Sequence, residues 1–320
     1  MHTLKAAVIG LGEMGQHHAR VYAQTEDVRL VAVCDSDPTR LENVTRTWGA
    51  MTYTDVAVMF AECRPDLVTV AVPTVHHLKV AGFALTQCHV LVEKPITHTV
   101  EAARALIGMA QEVGHILAVG HIERCNPVVS AVKRHIDAGD LGRIYRISTR
   151  RVGPSPVRIR DVGVVIDLLT HDLDIARYLL RSEPLFCQAE LQHNRHGTHE
   201  DGVDALVRFE NGTVGIFECD WLTPSKTREM RIDCEAGSLA VDYIKQSGTF
   251  LHEGGKVEQI TVPYTEPLRV ELEAFASAVQ YGTRPAADGQ DGFAALRVAL
   301  AVLEAGHGLA RSGAARSGEV

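Results

Sequence analysis

Apolar residues in the first third of the chain occur in short uninterrupted runs, and each run is followed by a segment of helical length. The runs span residues 4–9, 28–34, 67–72, 89–92 and 116–119. Runs without polar alternation are typical of strands that are buried on both faces. The repeated strand–helix order therefore predicts an α/β domain with a parallel sheet over residues 1–120.

The pattern changes after Gly120. Two alternating segments, residues 203–209 and 213–219, flank Asn211-Gly212, which is typical of a β-hairpin. Helices are predicted for residues 127–138, 166–180, 267–281 and 291–307. Residues 121–320 are thus predicted to form an α+β domain with a large, mostly antiparallel open sheet. Helices cover one face of such a sheet, and the other face is free for substrate or a subunit partner.

Composition and charge exclude several classes of protein. The 320 residues carry a formal net charge of −8, whereas a nucleic-acid-binding protein needs basic surface for phosphates. No stretch approaches the roughly 18 apolar residues of a membrane-spanning helix, and the N-terminus lacks the apolar core of a signal peptide. The seven cysteines are widely spaced and form no C-x-x-C pair. Such spacing favours reduced thiols in a cytoplasmic protein over a disulfide or zinc framework.

The charge is unevenly distributed along the chain. The arginine segment, residues 143–160, contains six arginines and no acidic residue, so it carries +6 and leaves −14 for the rest of the chain. Guanidinium groups match phosphate oxygens in charge and geometry. Four of these arginines are candidates for binding a diphosphate: Arg150, Arg151, Arg158 and Arg160. The alternative is pairing with acidic residues elsewhere or at a subunit interface, which we predict for Arg143 and Arg146.

A glycine motif, Gly10-Leu11-Gly12-Glu13-Met14-Gly15, follows the first apolar run and opens a predicted helix. Its three glycines permit a tight turn, a close approach of the backbone to a pyrophosphate, and close packing of helix on strand. Asp35 is placed to accept hydrogen bonds from the adenosine ribose, which favours NAD over NADP. NADP stays an alternative cofactor, because the positive charge of Arg40 could bind its 2′-phosphate. An ordinary α/β turn is the alternative to a dinucleotide site.

Two further groups carry candidate chemistry. Glu93-Lys94-Pro95 follows a predicted strand, at the sheet edge that faces the ligand crevice in open α/β folds. Lys94 can donate a hydrogen bond to a substrate oxygen there. Asp167 and His171 are four residues apart on a predicted helix and share one face, so the carboxylate can orient the imidazole as a proton acceptor. A surface lysine and a helix-surface ion pair are the structural alternatives.

The remaining histidines are interpreted more simply. His193, His196 and His199 recur beside acidic residues in a predicted loop, and we predict no metal site there, because zinc sites require a pre-organised set of ligands. His17 and His18 are expected to be solvated on the first helix. His77 is expected to line the nucleotide crevice.

These motifs together resemble the Gfo/Idh/MocA family of oxidoreductases, which also share the two-domain order. The resemblance rests on the glycine motif, Val70-Ala71-Val72-Pro73-Thr74, Glu93-Lys94-Pro95 and Asp167-x-x-x-His171-Asp172. It implies NAD as the cofactor, with Lys94, Asp167 and His171 meeting around the nicotinamide. The residues that it places on the cofactor are Gly10, Gly12, Glu13, Met14, Gly15, Asp35, Arg40, Val72, Pro73, Thr74, His77, Glu93 and Lys94.

A narrower resemblance covers residues 120–127 and 150–167. These segments are similar to those of the UDP-N-acetylglucosamine 3-dehydrogenases within the family, which oxidise the sugar C3 hydroxyl ahead of transamination to a 3-amino sugar. The substrate residues that it implies are Lys94, His121, Glu123, Arg124, Asn126, Arg151, Pro154, Arg158, Arg160, Asp167 and His171. The product would feed 3-amino sugar synthesis for lipid A or a surface polysaccharide.

Several alternatives stay open at this point. Either His171 or Lys94 can be the base. The substrate can instead be the uronate form of UDP-N-acetylglucosamine, another sugar or an inositol. A different class of protein, a catalytically silent NAD(H)-binding regulator, is a further alternative. A homodimer or homotetramer is expected, as is a pathway link to a transaminase, with no nucleic-acid or membrane partner.

Overall fold

The computed structural model describes residues 3–155, 162–195 and 197–316, with only the backbone described for residues 309–316. The chain divides into two compact units. The first comprises residues 1–125 and 266–293, and the second comprises residues 126–265 and 294–320. Each unit is built on its own sheet.

The first unit contains a six-stranded parallel sheet with the strand order β3-β2-β1-β4-β5-β6. Its strands are β1 (Leu4–Ile9), β2 (Val28–Cys34), β3 (Met51–Tyr53), β4 (Leu67–Val70), β5 (His89–Glu93) and β6 (Leu117–Gly120). Its helices include α1 (Glu13–Gln24), α2 (Val44–Trp48), α3 (Val56–Cys63), α4 (His77–Leu85) and α5 (Val100–Val113). The predicted Rossmann-type α/β class is confirmed. The strand order reverses between β1 and β4, and such reversals open a ligand crevice at the carboxyl ends of the strands.

Local differences from the predicted elements occur around β2 and β3. After β2, a 3₁₀ turn over Pro38–Leu41 precedes the short helix α2. The two are separated at Asn43, whose φ of +66° is left-handed and interrupts the helix. The short strand β3 was not predicted. Helix α3 is capped by Asp55, whose carboxylate accepts the amides of Ala57 and Val58.

A helix from late in the sequence completes the first unit. Helix α8 (Pro267–Tyr281) has the predicted bounds. Its apolar face, with Leu268, Leu272 and Phe275, belongs to the same buried cluster as β1 and α1. The first unit is therefore formed from two segments of the sequence, residues 1–125 and 266–293. The prediction instead placed a single domain boundary at residue 120.

The second unit contains an eight-stranded sheet with the order β14-β13-β12-β11-β7-β10-β9-β8. Its strands are β7 (Ile144–Pro154), β8 (Pro184–Gln192), β9 (Gly202–Phe209), β10 (Val214–Asp220), β11 (Leu222–Cys234), β12 (Gly237–Asp242), β13 (Ser247–His252) and β14 (Val257–Thr261). All neighbours are antiparallel except β7 and β10. The predicted class of this domain is thus confirmed, including the hairpin at Asn211-Gly212.

Helices α6 (Pro127–Ala138) and α7 (Thr170–Leu180) belong to the second unit, and α9 (Gly289–Arg316) runs past the predicted end of the last helix. Along β7, Ile147, Thr149 and Arg151 are buried, whereas Arg146 and Arg150 are exposed. Side chains alternate between the two faces of a strand. The sheet therefore has one covered face and one open face. None of the helices within the described ranges combines the length and apolar character that a membrane crossing requires.

Candidate functional site

The glycine motif forms a tight turn in which Gly10 and Gly15 leave no room for a side chain. Gly10 has a φ of +92°, and a Cβ there would lie 2.7 Å from the carbonyl oxygen of Ala71 at the end of β4. A Cβ on Gly15 would lie 1.7 Å from the carbonyl oxygen of Gly10. At Gly12, in contrast, a Cβ would meet only the Arg40 Nη1 atom at 3.9 Å. The backbone above Gly12 is thus open at the start of α1, as a pyrophosphate site requires.

Asp35 lies at the carboxyl end of β2 and is largely buried. Its Oδ2 atom accepts the amide of Leu11 at 2.6 Å, and its Oδ1 atom accepts the amide of Asp37 at 2.9 Å. Each carboxylate oxygen can accept more than one hydrogen bond, so Asp35 has capacity left for ribose hydroxyls. The guanidinium group of Arg40 lies 3.4 Å from Asp35 and 3.6 Å from Asp37, and it is half exposed. These residues fit an NAD adenosine. Glu13 is exposed and Met14 half-buried in the first turn of α1.

The carboxyl ends of β4 and β5 carry the next candidate groups. Val72, Pro73 and Thr74 follow β4, and Lys94 follows β5 directly. His77 lies between these ends and is 1% exposed. Its Nε2 atom is 2.9 Å from the Val72 carbonyl oxygen, and its Nδ1 atom is 2.9 Å from that of Pro95. Burial lowers the pKa of His77, against the opposing effect of these carbonyl groups.

His18 was expected to be solvated, and this expectation is wrong. Its ring is fully buried, and its Nε2 atom lies 2.8 Å from Glu93 Oε1. The signal was present in the sequence, because His18 falls three residues after Gly15 and one before Ala19, on the face of α1 that packs inward. Adjacent His17 is exposed.

Four residues in the segment 121–126 are predicted to bind the substrate, and the described contacts of two of them, Arg124 and Asn126, are with other parts of the protein. Arg124 is 6% exposed; its Nη1 atom donates to the Ala286 carbonyl oxygen at 3.1 Å and lies 3.0 Å from Asp291. Asn126 caps α6 through the amide of Val128, and its Nδ2 atom donates to the Tyr243 carbonyl oxygen at 3.1 Å. His121 is 2% exposed and Glu123 is half-buried in a 3₁₀ turn.

In the second unit, Asp167 lies within a π-helical turn, Val165–Leu169, that leads into α7. Asp167 is 6% exposed, and His171 is half-buried in the first turn of α7. The predicted continuous α-helix therefore starts as a wider turn, a feature that is frequent at functional sites. The Thr170 hydroxyl donates to the carbonyl oxygens of Val165 and Ile166.

A carboxylate that sequence reasoning missed supports this turn. Glu200 is 6% exposed, and its Oε1 atom accepts the amide of Val165 at 3.0 Å. A Cβ on Gly163 would lie 2.1 Å from the same oxygen, so glycine leaves the space that the carboxylate occupies. The sequence gives no local signal for this role, because the contact between Glu200 and Gly163 joins segments that are distant in sequence.

The arginine segment is divided by the alternation of strand β7. Arg151 points to the covered face, where its Nε atom donates to both carboxylate oxygens of Asp172 at 3.0 Å. Its Nη2 atom donates to Asp172 Oδ1 at 2.9 Å. Arg150 points to the open face and pairs with Glu218 at 3.0 Å. Arg146 lies 3.6 Å from Asp233, as predicted for an arginine that pairs with an acidic residue. Within the described part of this segment, Arg146, Arg150 and Arg151 therefore contact three different acidic residues.

The remaining sequence candidates are Pro154, Arg158, Arg160 and the histidines of the predicted loop. Pro154 is exposed at the end of β7. Arg158, Arg160 and His196 lie outside the described residues. Within the described ranges, no group of three or more histidine, cysteine, aspartate or glutamate side chains is arranged to hold a metal.

A parallel sheet with this strand order, this glycine turn and an acidic residue after β2 is typical of the dinucleotide-binding α/β class of proteins. Residues 4–121 match the family model described as "Oxidoreductase family, NAD-binding Rossmann fold", and residues 129–240 match the Gfo/Idh/MocA C-terminal domain. The chain belongs to the Gfo/Idh/MocA family, with NAD as its cofactor.

Individual relatives differ in substrate. The chain is 30% identical to the UDP-N-acetylglucosamine 3-dehydrogenase of Acidithiobacillus ferrooxidans over 93% of this chain and 96% of that one. The solved structure of that enzyme matches with a TM-score of 0.88 over 95% of this chain and 98% of that one. The scyllo-inositol 2-dehydrogenase (NAD(+)) of Bacillus subtilis is 29% identical over 94% and 93% of the two chains. The scyllo-inositol dehydrogenase of Lactobacillus casei, solved with NAD(H) and scyllo-inositol, shares the fold with a TM-score of 0.83 at 22% identity, over 95% and 96% of the chains.

The pairing of neighbouring arginines yields a prediction about stability. Asp172→Ala leaves the buried Arg151 guanidinium without its carboxylate, so we expect the free energy of unfolding to fall by about 3–5 kcal/mol. Glu218→Ala removes the partner of Arg150 on the exposed face, and its expected cost is at most about 1 kcal/mol. Urea unfolding followed by circular dichroism measures both variants. Equal losses of unfolding free energy in the two variants would contradict a larger stabilising contribution from the buried Arg151–Asp172 pair.

Proposed function

We propose that this protein oxidises the C3 hydroxyl of UDP-N-acetylglucosamine to the 3-keto sugar with NAD. The observation that carries the proposal is the 30% identity to the Acidithiobacillus ferrooxidans enzyme over nearly the whole of both chains. The TM-score of 0.88 to its solved structure supports a common architecture of both units.

Bound NAD would supply the hydride acceptor. Lys94 follows β5 at the crevice edge of the sheet, where its ammonium group is proposed to donate a hydrogen bond to the reacting C3 oxygen. His171 is proposed to accept the hydroxyl proton as the C3 hydride departs, and Asp167 to stabilise the protonated imidazole. The reverse assignment, with a neutral Lys94 as the base, balances the same proton.

A second candidate is a dehydrogenase of an inositol or another free polyol. The Bacillus subtilis relative favours it at 29% identity. The described arginines favour it too, because Arg146, Arg150 and Arg151 each have an acidic partner within the second unit. Recognition of a diphosphate then rests on Arg158 and Arg160.

The test of substrate class uses the purified protein with NAD and a panel of UDP-N-acetylglucosamine, its uronate and myo- and scyllo-inositol. We expect nicotinamide reduction with UDP-N-acetylglucosamine and a product that is lighter by two hydrogens. Turnover of an inositol without turnover of either UDP-sugar would establish the polyol alternative. Turnover of the uronate alone would move the substrate to the C6-oxidised sugar.

Two substitutions test the assigned chemistry. Lys94→Met and His171→Asn are each expected to lower kcat by about 10²–10⁴-fold, because each removes a proton-transfer or hydrogen-bonding group from the reacting oxygen. Lys79→Met is the matched control, since Lys79 is exposed on α4. Wild-type rates in both folded site variants would refute the assignment. The pH dependence of kcat in the two variants distinguishes which group acts as the base.

Cofactor choice tests the proposed role of Asp35. In Asp35→Asn, loss of the carboxylate charge is expected to raise the ratio of NADP to NAD efficiency by about tenfold or more, because repulsion of a 2′-phosphate is relieved while Arg40 remains. Disturbance of the glycine turn alone would lower kcat/KM for both cofactors equally. The ratio of the two kcat/KM values separates these effects, and an unchanged ratio would remove Asp35 from cofactor discrimination.

The proposal also covers the oligomeric state of the protein, the reaction that follows and the place of the reaction in the cell. The open face of the second sheet exposes Leu206 and Ile216, which supports assembly into a homodimer or homotetramer. A 3-keto sugar nucleotide is the substrate class that a transaminase converts to a 3-amino sugar. The proposed place of the reaction is the cytoplasm, upstream of lipopolysaccharide or surface-polysaccharide synthesis.

A further inference from the structure

The turn that carries Lys94 is held between two buried histidines on different helices. We call residues 93–97 the lysine turn. His18 reaches it from α1, and His77 reaches it from the start of α4. Both rings are almost completely buried, at 0% and 1% exposure. Burying an imidazole is unfavourable unless its polar atoms find partners, so the partners of these two rings are informative.

His18 acts on the lysine turn through Glu93. Its Nε2 atom lies 2.8 Å from Glu93 Oε1, and Glu93 Oε2 accepts the backbone amide of Lys94 at 3.1 Å. An imidazole, a carboxylate and the Lys94 amide thus form a continuous hydrogen-bonded chain. Gly120 on neighbouring β6 leaves room for it, because a Cβ there would lie 3.1 Å from Glu93 Oε2.

The charge of Glu93 is maintained in this arrangement. Burial raises the pKa of Glu93, but the hydrogen bond from His18 and the nearby Lys94 charge bring it below its ordinary value. Glu271, buried on α8, behaves in the opposite way: burial first, and then the Glu93 charge, raise its pKa well above the ordinary range. These shifts favour the anionic form of Glu93 and the protonated form of Glu271, and an anion is the stronger acceptor for the Lys94 amide.

His77 acts on the other side of the same turn. Its Nδ1 atom lies 2.9 Å from the Pro95 carbonyl oxygen, and its Nε2 atom lies 2.9 Å from the Val72 carbonyl oxygen. The ring therefore lies between the segment after β4 and the segment after β5. Carbonyl oxygens only accept hydrogen bonds, so a neutral imidazole donates to one of them and an imidazolium donates to both.

The position of His18 adds a link to the cofactor segment. His18 is one helical turn beyond Gly15, on the helix whose N-terminus is open above Gly12. The helix that faces the pyrophosphate site is thus connected through His18 and Glu93 to the backbone of Lys94. A leucine in place of His18 would fill similar volume but would provide no donor for Glu93.

We propose that His18 and His77 are positioning residues that fix the backbone of Lys94 from two sides, with His18 coupling the cofactor-binding helix to the lysine. The catalytic part of this inference rests on the proposed role of Lys94. Displacement of a reacting group by about 1 Å can lower a rate by about 100-fold. Loss of either histidine therefore lowers kcat without requiring loss of cofactor binding.

The kinetic test compares variants at the His18 position. His18→Leu removes the donor, and His18→Gln keeps an amide donor near the place of Nε2. We expect kcat to fall by about 100-fold in His18→Leu and to recover in His18→Gln to within about tenfold of wild type, with the NAD dissociation constant changed by no more than about threefold in either. The matched control is His17→Leu, because His17 is exposed on the same helix. Wild-type kcat in folded His18→Leu would overturn the proposal, as would an equal loss in His18→Gln.

A second measurement reads the lysine turn without any substrate. Amide hydrogen exchange of a peptide containing residues 93–97 is expected to accelerate in His18→Leu and His77→Leu. It is expected to stay at the wild-type rate in His17→Leu and Lys94→Met. Unchanged exchange in both histidine variants would overturn the positioning role. Should His18→Leu fail to fold, Glu93→Gln removes the carboxylate anion that links His18 to the Lys94 amide at nearly constant volume, and the same acceleration is required of it.

The two measurements separate this inference from the proposed function. If Lys94→Met keeps its activity while exchange accelerates in the histidine variants, the chemistry assigned to Lys94 is wrong and the positioning of the turn stands. If Lys94→Met is inactive while exchange and kcat are unchanged in the histidine variants, the proposed function stands and the positioning role is wrong.

Discussion

The architecture of the first unit depends on a close approach of two backbones at the carboxyl edge of its sheet. Gly10 packs against the carbonyl group of Ala71, and Gly15 packs over Gly10, with no space for a Cβ at either glycine. Because all six strands are parallel, their carboxyl ends lie at one edge. The glycine turn, Asp35 and Lys94 therefore come to the same side of the sheet, although 84 positions separate Gly10 from Lys94. A larger side chain at Gly10 would separate β1 from β4 where the strand order reverses.

Buried polar groups then determine how each functional segment is held. In the first unit, two imidazole rings contact the turn after β5. In the second unit, the Glu200 carboxylate and the Thr170 hydroxyl satisfy backbone groups of the π-helical turn that carries Asp167. The Arg151–Asp172 pair ties helix α7 to strand β7. These contacts join segments that are distant in sequence, and a buried group left without its partner is costly. Such groups restrict each segment to one arrangement.

Family membership and substrate rest on different kinds of observation. Family membership rests on the matches of residues 4–121 and 129–240 to the two family models, whereas the proposed substrate rests on individual relatives. The relatives at 30% and 29% identity act on a UDP-sugar and on an inositol, respectively. Three of the four described arginines of the arginine segment, Arg146, Arg150 and Arg151, are paired with acidic residues. Charge in this segment is therefore a weaker indicator of a diphosphate than its density in the sequence suggests.

The sequence alone determined the two fold classes, five of the six strands of the first sheet, helix α8 to the residue, and the glycine turn with Asp35. These features follow from local periodicity and from turns that only glycine permits. Tertiary structure decided the partners. His18 was expected in solvent but lies buried against Glu93, and the arginines on β7 divide between two faces with different acids. Glu200 reaches Gly163 only after the chain has folded. The local pattern of α1 indicates that His18 faces inward, but not which residue it meets. Side-chain partners depend on which distant strand or helix packs alongside.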